Sequence, residues 1–168
     1  NCGKSSLLNA LLQRKNLART SSTPGRTAMV NFFLIKVSAT KQYILADLPG
    51  YGFSKTGKNL QKEWGELIPA YLKRSIISKV LFLLDIRRSL ERFELEYLQQ
   101  LSKQGHSIIV VLTKADKVSR REAQAKKKDV LGSLSSLKLS TSPFVLATST
   151  LKNQGMDLLR KEIFSESV

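Results

Sequence analysis

The sequence has few of the residues from which disulfides and zinc sites are built. It contains one cysteine, Cys2, and one histidine, His106, among 168 residues. A single thiol excludes an internal disulfide, and such scarcity of cysteine is typical of the reducing cytoplasm. One cysteine and one histidine also argue against a structural zinc site. We expect His106, which follows Gly105, to lie in a surface turn.

Long hydrophobic runs are absent too. No apolar run approaches the ~20 residues that a membrane-spanning helix requires, and no secretory signal peptide is visible. With 42% hydrophobic residues, the chain has enough apolar side chains for a single globular domain over residues 1–168. We expect a cytoplasmic monomer without a membrane span.

Acidic residues are scarce relative to basic ones. There are 13 of them against 28 lysines and arginines, which gives a net charge of +15. Such an excess attracts polyanions, meaning RNA or an anionic lipid surface, although basic side chains can also merely solvate a surface. The size of the excess favours an RNA-like partner. We expect six basic residues to be free to meet phosphates: Arg87, Arg88, Arg92, Lys126, Lys127 and Lys128.

Five short apolar segments predict β-strands. They span residues 32–37, 43–46, 80–86, 107–112 and 143–147. A short turn joins the first two strands, so they should pair antiparallel. The last three are almost continuously apolar, which is typical of a parallel sheet covered on both faces.

Apolar residues at helical spacing alternate with these strands. They follow residue 4 and recur over residues 60–72, 90–101 and 156–163, with Gly65 and Pro69 interrupting the second pattern. Ser119 and Glu122 form a capping-box sequence that predicts the start of a basic helix. We expect residues 131–142, which are rich in serine, leucine and lysine, to form a loop.

The first six residues match the second half of a phosphate-binding P-loop. Asn1 to Ser6 read N-C-G-K-S-S, the end of G-x-x-x-x-G-K-[ST]. In that loop backbone N–H groups cradle phosphates, the lysine reaches the β- and γ-phosphates, and the serine hydroxyl binds Mg²⁺. The alternative is an ordinary helix start with Ser5 as the N-cap. We expect a strand to precede Asn1 in the natural protein, because the chain begins inside the motif.

Three further polar motifs follow predicted strands. In Asp47 to Gly50, D-L-P-G, the aspartate can hold Mg²⁺ through water and the glycine lets the backbone approach a γ-phosphate. In Thr113 to Asp116, T-K-A-D, the carboxylate can accept the N1 and N2 hydrogens of guanine, a donor pair that adenine lacks. Thr148 to Thr150 can reach the base oxygen. Each motif alone could be a turn or a strand end, but all four in this order indicate one guanine-nucleotide site.

These motifs resemble those of the EngB-type ribosome-biogenesis GTP-binding proteins of bacteria, which are translation-factor-related GTPases. Besides the P-loop, the resemblance is carried by residues 20–27 (T-S-S-T-P-G-R-T), 31–33, 47–53 (D-L-P-G-Y-G-F), 85–87, 113–117 (T-K-A-D-K) and 151–155. It implies a Ras-like α/β fold, with a mostly parallel six-stranded sheet, one antiparallel strand and helices on both faces. The first of those strands would precede this sequence. The chain departs from the family at Ala28, where glutamine is usual, and at Thr148, where phenylalanine is usual.

The resemblance also implies a role for each motif residue. The residues that would contact GTP or GDP are Asn1, Cys2, Gly3, Lys4, Ser5, Ser6, Gly25, Arg26, Thr27, Ala28, Met29, Asp47, Leu48, Pro49, Gly50, Thr113, Lys114, Ala115, Asp116, Thr148, Ser149 and Thr150. The Mg²⁺ ligands would be Ser5, Thr27 and Asp47. Lys4, Thr27 and Asn1 would serve hydrolysis, Asn1 by helping to hold K⁺ beside the phosphates. Alternatively, Asn1 only forms a hydrogen bond within its loop.

The implied function is that of a GTP-hydrolysing switch in assembly of the large ribosomal subunit, with a link to normal septation in cell division. A precursor of that subunit, or its rRNA, would be the partner. Tyr51 stands where a Ras-type GTPase has a water-orienting glutamine, so we expect slow intrinsic hydrolysis. One alternative is a nucleotide-gated rRNA-binding module with incidental hydrolysis. A basic membrane-surface GTPase is another, which the lack of an amphipathic basic helix disfavours.

Overall fold

The computed structural model describes residues 2–13, 30–48, 68–137, 139–140 and 143–164. They fall into two compact units. The hairpin unit holds the described residues between positions 30 and 74, and the sheet unit holds residues 2–13 and those from 75 onward. Several residues implicated by the sequence lie outside the described part: Asn1, residues 25–29, Pro49, Gly50 and Tyr51.

The hairpin unit contains the predicted antiparallel pair. Strand β1 (Asn31–Lys36) pairs with β2 (Gln42–Asp47), with Asn31 opposite Asp47. The chain reverses between them through a turn that the Lys41 N–H closes by donating to Ser38 Oγ at 3.1 Å. Residues 68–72, the described part of the helical pattern predicted over 60–72, are helical. The hairpin therefore ends on the first residue of the D-L-P-G motif.

The sheet unit is built on the predicted parallel strands, which the structure confirms. Strand β3 (Lys79–Asp85) pairs with β4 (Ser107–Thr113), and β4 pairs with β5 (Phe144–Ala147), all in parallel. Asp85 lies opposite Thr113, and Leu112 lies opposite Ala147. Because parallel strands end together, the residues that follow them meet at one edge of this sheet.

Helices cover both faces of the three-stranded sheet. They are α1 (Lys4–Leu11), α2 (Arg92–Lys103), α3 (Arg120–Ser135) and α4 (Met156–Phe164). On one face, α1 and α4 pack side chains such as Leu7 and Leu159 against Ile109 and Val111. Successive strand residues point to opposite faces, so Val110 and its alternates meet α2 and α3. Within the described ranges, no helix is long and apolar enough to cross a membrane.

The predicted capping box of α3 is confirmed, but the predicted end of this helix is wrong. The Glu122 N–H donates to Ser119 Oγ at 3.2 Å, and the Ser119 N–H donates to the Glu122 carboxylate at 2.7 Å. The helix continues to Ser135, through residues expected to form a loop. Val130 and Leu134, four residues apart, extend the buried stripe of α3, and this packing outweighs the loop-like composition around them.

His106 is also not the surface residue that its glycine neighbour suggested. It is only 4% exposed, and its Nδ1 lies 3.2 Å from the carbonyl oxygen of Ile77. Gly105 takes φ +85°, a left-handed conformation that turns the chain sharply before β4. That turn places His106 against the chain leading into β3, so it closes one end of the sheet.

Candidate nucleotide-binding site

The first turn of α1 is arranged to receive an anion. Gly3 caps the helix at φ +88°, a left-handed conformation that glycine adopts without strain. Within the described residues, no side chain caps this helix and its first turn holds no acidic residue, and a helix start of this kind favours a bound anion. Lys4 in this turn adds a second positive charge to the positive end of the helix dipole. Because Gly3 is the cap, the alternative of an ordinary Ser5 N-cap is wrong.

A buried hydroxyl joins the P-loop to the predicted base-binding motif. Thr113, at the carboxyl end of β4, donates from Oγ1 to the carbonyl oxygen of Cys2 at 2.6 Å. The stem of Lys114 runs beside the loop, since a Cβ built on Gly3 would lie 3.9 Å from Lys114 Cε. The two motifs, more than 100 residues apart in sequence, are therefore in direct contact.

Asp116 is held as an ionised acceptor. It lies in the short 3-10 turn Ala115–Lys117 after β4, where Ser149 donates from Oγ to Asp116 Oδ1 at 2.6 Å. That hydrogen bond is the largest cause of a lowered pKa for Asp116; burial opposes it, and nearby Lys117 and Lys152 reinforce it. The carboxylate is charged at neutral pH and oriented by Ser149, which is what acceptance of two N–H groups requires.

Of the three residues after β5, Thr148 and Ser149 form backbone hydrogen bonds within the fold, and Thr150 keeps an available N–H donor. The Thr148 N–H donates to Leu112 O at 2.8 Å, and the Thr148 carbonyl accepts the Ala115 N–H at 2.9 Å. The Ser149 N–H is taken by Gln154 O at 3.0 Å. Among the described residues, the Thr150 N–H has no acceptor. Of the three predicted residues, Thr150 is therefore the one whose backbone can donate to a base oxygen.

A small cavity lies where these elements meet. Its volume is about 70 Å³, and its lining comprises Gly3, Ser6, Leu7, Thr113, Lys114, Thr148 and Thr150. Thr148 Oγ1 is buried and, in the described part of the chain, has no hydrogen-bond partner. Buried polar atoms normally form hydrogen bonds. A bound nucleotide, or a water molecule bridging to one, would supply the partner that this hydroxyl lacks. The residues present thus fit the ligand that the motifs predict.

The candidate Mg²⁺ ligands fit that ion by chemistry. Mg²⁺ is bound through hard oxygen donors, and Ser5 offers a hydroxyl from the first turn of α1. Asp47 offers a carboxylate from the end of β2 in the hairpin unit, where it is buried. Thr27, the third predicted ligand, lies outside the described residues.

Asp85 lies in a segment that carries the resemblance, but the sequence assigned it no role in the site. Its carboxylate lies 3.0 Å from Lys114 Nζ and accepts two hydrogen bonds from the Arg87 guanidinium, at 2.9 and 2.7 Å. The bond from Arg87 is the largest cause of a pKa for Asp85 far below its usual range, and Lys114 lowers it further against the opposing effect of burial. Asp85 thereby fixes the lysine of the T-K-A-D motif.

We expect Asp85→Asn to weaken GDP binding by about tenfold, because Lys114 loses the charged partner that holds it and such bonds contribute about 1.5 kcal/mol or more. Titration of a fluorescent GDP measures this. Asp129→Asn is the matched control, since Asp129 also pairs with a lysine, Lys126, at 3.0 Å, but is 59% exposed on α3. Equal GDP affinities for the two variants would contradict the role given to Asp85.

Four of the six basic residues expected to meet phosphates form ion pairs within the fold, and whether they also meet phosphates stays a prediction. Arg87 binds Asp85, Arg88 binds Glu91 and Glu94, Arg92 binds Glu96, and Lys126 binds Asp129. Most of these acidic partners lie within six residues of the basic residue, in or just before α2 or in α3. Of the six, only Lys127 and Lys128 have no ion pair among the described residues.

Known proteins share both the sequence pattern and the fold. A family described as 50S ribosome-binding GTPase matches residues 1–114. The chain is 42% identical over 151 residues to the probable GTP-binding protein EngB of Syntrophus aciditrophicus, covering 89% of this chain and 74% of that protein. It is 41% identical over 164 residues to the same-named protein of Protochlamydia amoebophila, covering 97% and 74% of the two chains.

Two solved structures bear on the fold. A crystal structure of a probable GTP-binding protein engB aligns with a TM-score of 0.73 at 21% identity, covering 98% of this chain and 92% of that one. The structure of a point variant of Aquifex aeolicus Era bound to GDP·AlF4⁻ aligns with a TM-score of 0.79 at 25% identity, covering 100% and 55%. The predicted Ras-like α/β fold is confirmed, as a parallel sheet with helices on both faces and an antiparallel pair.

Proposed function

Because the chain belongs to the EngB family of GTP-binding proteins, we propose that it is a slowly hydrolysing GTP switch that acts on the large ribosomal subunit during its assembly. GTP binding is supported chiefly by the contact between the phosphate-binding and base-binding motifs. Thr113 bonds to the P-loop, and Ser149 orients Asp116. The name of the matching family, 50S ribosome-binding GTPase, and the charge of +15 support the ribosomal part. A cytoplasmic location and a link to septation belong to the same proposal.

Each described motif has a distinct task in this proposal. The N–H groups at the start of α1 and the Lys4 ammonium bind and neutralise the phosphates. Asp116 accepts the N1 and N2 hydrogens of guanine, and the Thr150 N–H donates to the base oxygen. Ser5, Thr27 and Asp47 would hold Mg²⁺, which would help to neutralise the charge of the phosphates. Hydrolysis then needs in-line attack by water, for which Tyr51 cannot replace a water-orienting glutamine, so intrinsic turnover is slow.

The ribosomal part is tested by sedimentation with isolated 50S subunits. We expect the protein to bind them about tenfold more tightly with a non-hydrolysable GTP analogue than with GDP, a coupling of about 1.4 kcal/mol that is ordinary for a switch. Equal binding in both nucleotide states would contradict a switch. Tight, nucleotide-dependent binding without any turnover in the presence of 50S subunits would instead favour the nucleotide-gated rRNA-binding module.

We further propose that K⁺ assists hydrolysis, with Asn1 as one ligand. A cation beside the phosphates would offset charge that develops in the transition state. Replacing Na⁺ by K⁺ at constant ionic strength should raise GTP turnover about tenfold, equivalent to ~1.4 kcal/mol of barrier. Asn1→Ala should abolish this response and leave GDP affinity largely unchanged. Equal turnover in the two salts would remove the cation from the mechanism and favour a group supplied by the ribosome.

A further inference from the structure

The helix α3 segregates its charges around its axis. Its buried stripe consists of Ala123, Val130 and Leu134. At 3.6 residues per turn, the acidic residues Glu122 and Asp129 fall on one side of that stripe. Arg120, Arg121, Lys127 and Lys128 fall on the other side, within an arc of about 120°. These four residues, the basic stripe, share their side of the helix with no acidic residue of α3.

The two sides of α3 also differ in their partners. On the acidic side, Lys126 donates to Ser89 at 2.9 Å and pairs with Asp129 at 3.0 Å, so its charge is neutralised within the fold. No residue of the basic stripe has an ion pair with any described residue. Three of the four, Arg120, Arg121 and Lys128, are exposed, and Lys127 is half-buried. The stripe is therefore the part of this helix whose positive charge the fold leaves uncompensated.

We propose that the basic stripe of α3 binds the phosphates of RNA. The residues recur as two pairs seven positions apart, so they are spaced by about 10.5 Å along the helix axis. Exposed lysines and arginines at that spacing can contact phosphates on a nucleic-acid backbone, and such contacts fix position without reading sequence. This inference rests on the proposed function, in which the partner is an RNA-rich particle, and it names the surface that meets the RNA.

An anionic membrane is the less suitable partner for this surface. A helix that lies on a membrane inserts an apolar face between the lipids. The apolar residues of α3 are instead buried against the sheet, where Val130 and Leu134 are each 1% exposed. The stripe thus offers charge without an inserting face, which suits a phosphate backbone.

The test compares two triple variants of the full-length protein that change the charge equally. The stripe variant replaces three of the four stripe residues, Arg121, Lys127 and Lys128, by Gln. The paired-residue variant replaces Arg88, Arg92 and Lys126, which already form ion pairs, by Gln. Each triple takes the net charge from +15 to +12, that is 15 − 3. GDP affinity of both triples should match the parent protein, because all six residues lie outside the nucleotide motifs; this readout shows that the variants are folded.

Binding is measured with a labelled A-form RNA duplex and with 50S subunits over a series of salt concentrations. We expect the stripe variant to lower the slope of log affinity against log salt by about 2 to 3, close to one for each lost phosphate contact, and the paired-residue variant to leave it nearly unchanged. The same change in both variants would overturn the inference, because it would show a general effect of net charge. Unchanged RNA binding with lost binding to phosphatidylserine vesicles would overturn it in favour of a membrane.

The two probes separate failure of this inference from failure of the proposed function. If the parent protein binds 50S subunits and the stripe variant binds them equally well, the ribosomal function stands and the stripe is not its RNA surface. If the parent does not bind 50S subunits, the ribosomal function fails. The duplex then still decides whether the stripe binds RNA.

Discussion

Asp116→Asn should convert the protein from a guanine-nucleotide to a xanthine-nucleotide binder. The carboxylate accepts both N1–H and N2–H of guanine, whereas an asparagine presents an NH₂ group to one of these donors. Xanthine carries a carbonyl at position 2, which accepts from that NH₂ group. A site built for a particular hydrogen-bond pattern rejects a mismatched ligand by about 10⁴- to 10⁵-fold, so we expect GTP affinity to fall by orders of magnitude while XTP affinity rises.

Two controls isolate the role of the carboxylate. Ser149→Ala removes the hydroxyl that orients Asp116 at 2.6 Å but keeps the acceptor pair, so it should weaken GDP binding by about tenfold, the effect of one charge-assisted hydrogen bond, without admitting XTP. Asp157→Asn makes the same chemical change at a side chain that is 89% exposed on α4. It should change neither the GTP affinity nor the XTP affinity. Competition titrations with GTP and XTP measure all three variants. Unchanged GTP affinity in Asp116→Asn would refute the assignment of the T-K-A-D motif.

Gly155→Ala should be the most destabilising alanine substitution among the glycines that the structure describes. Gly155 has φ +71°, and a Cβ built there would lie 2.5 Å from the carbonyl oxygen of Ala147. The left-handed conformation costs an alanine about 1–2 kcal/mol, and displacing the end of β5 adds about 1–3 kcal/mol. We expect a loss of about 2–5 kcal/mol in the free energy of unfolding, and weaker GDP binding, because Thr148 to Thr150 follow the displaced strand.

Two other glycines separate conformational strain from the clash. Gly105 has φ +85°, with nothing within 4 Å of a built Cβ, so Gly105→Ala should show only the strain, about 1–2 kcal/mol. Gly132 lies inside α3 in open space, and Gly132→Ala should stabilise the helix by about 0.5–1 kcal/mol. Urea unfolding of the three variants tests the series. A cost for Gly155→Ala no larger than that for Gly105→Ala would show that the contact with Ala147 is not limiting.

The strands and the described site motifs could be predicted because their signals are local. Continuous apolar runs, a G-K-S at a helix start and T-K-A-D after a strand each occupy a few neighbouring residues. The Asp85–Lys114 pair has no such signal, since it joins the ends of two adjacent strands 29 residues apart in sequence. The burial of His106 has no local signal for the same reason, because its partner Ile77 becomes a neighbour only when β3 and β4 pair.

The basic residues show a different limit of the sequence. Their number predicts a polyanionic partner, but the ion pairs that neutralise Arg87, Arg88, Arg92 and Lys126 depend on side-chain geometry. The basic stripe does have a sequence signal, two basic pairs seven residues apart. This spacing places the pairs on one side only because the segment is helical. The roles given to the site residues stay predictions, and Asn1, residues 25–29, Pro49 and Gly50 also lie outside the described part of the chain.

Competition between nucleotides measures directly whether this site selects guanine. The full-length protein is loaded with fluorescent GDP in Mg²⁺ buffer, and unlabelled GTP, GDP or ATP is titrated against it. We expect GTP and GDP to displace the label, and ATP to be weaker by about 10³-fold or more, since adenine leaves the Asp116 carboxylate unpaired. ATP competing within about tenfold of GTP, a difference of only ~1.4 kcal/mol, would contradict this expectation.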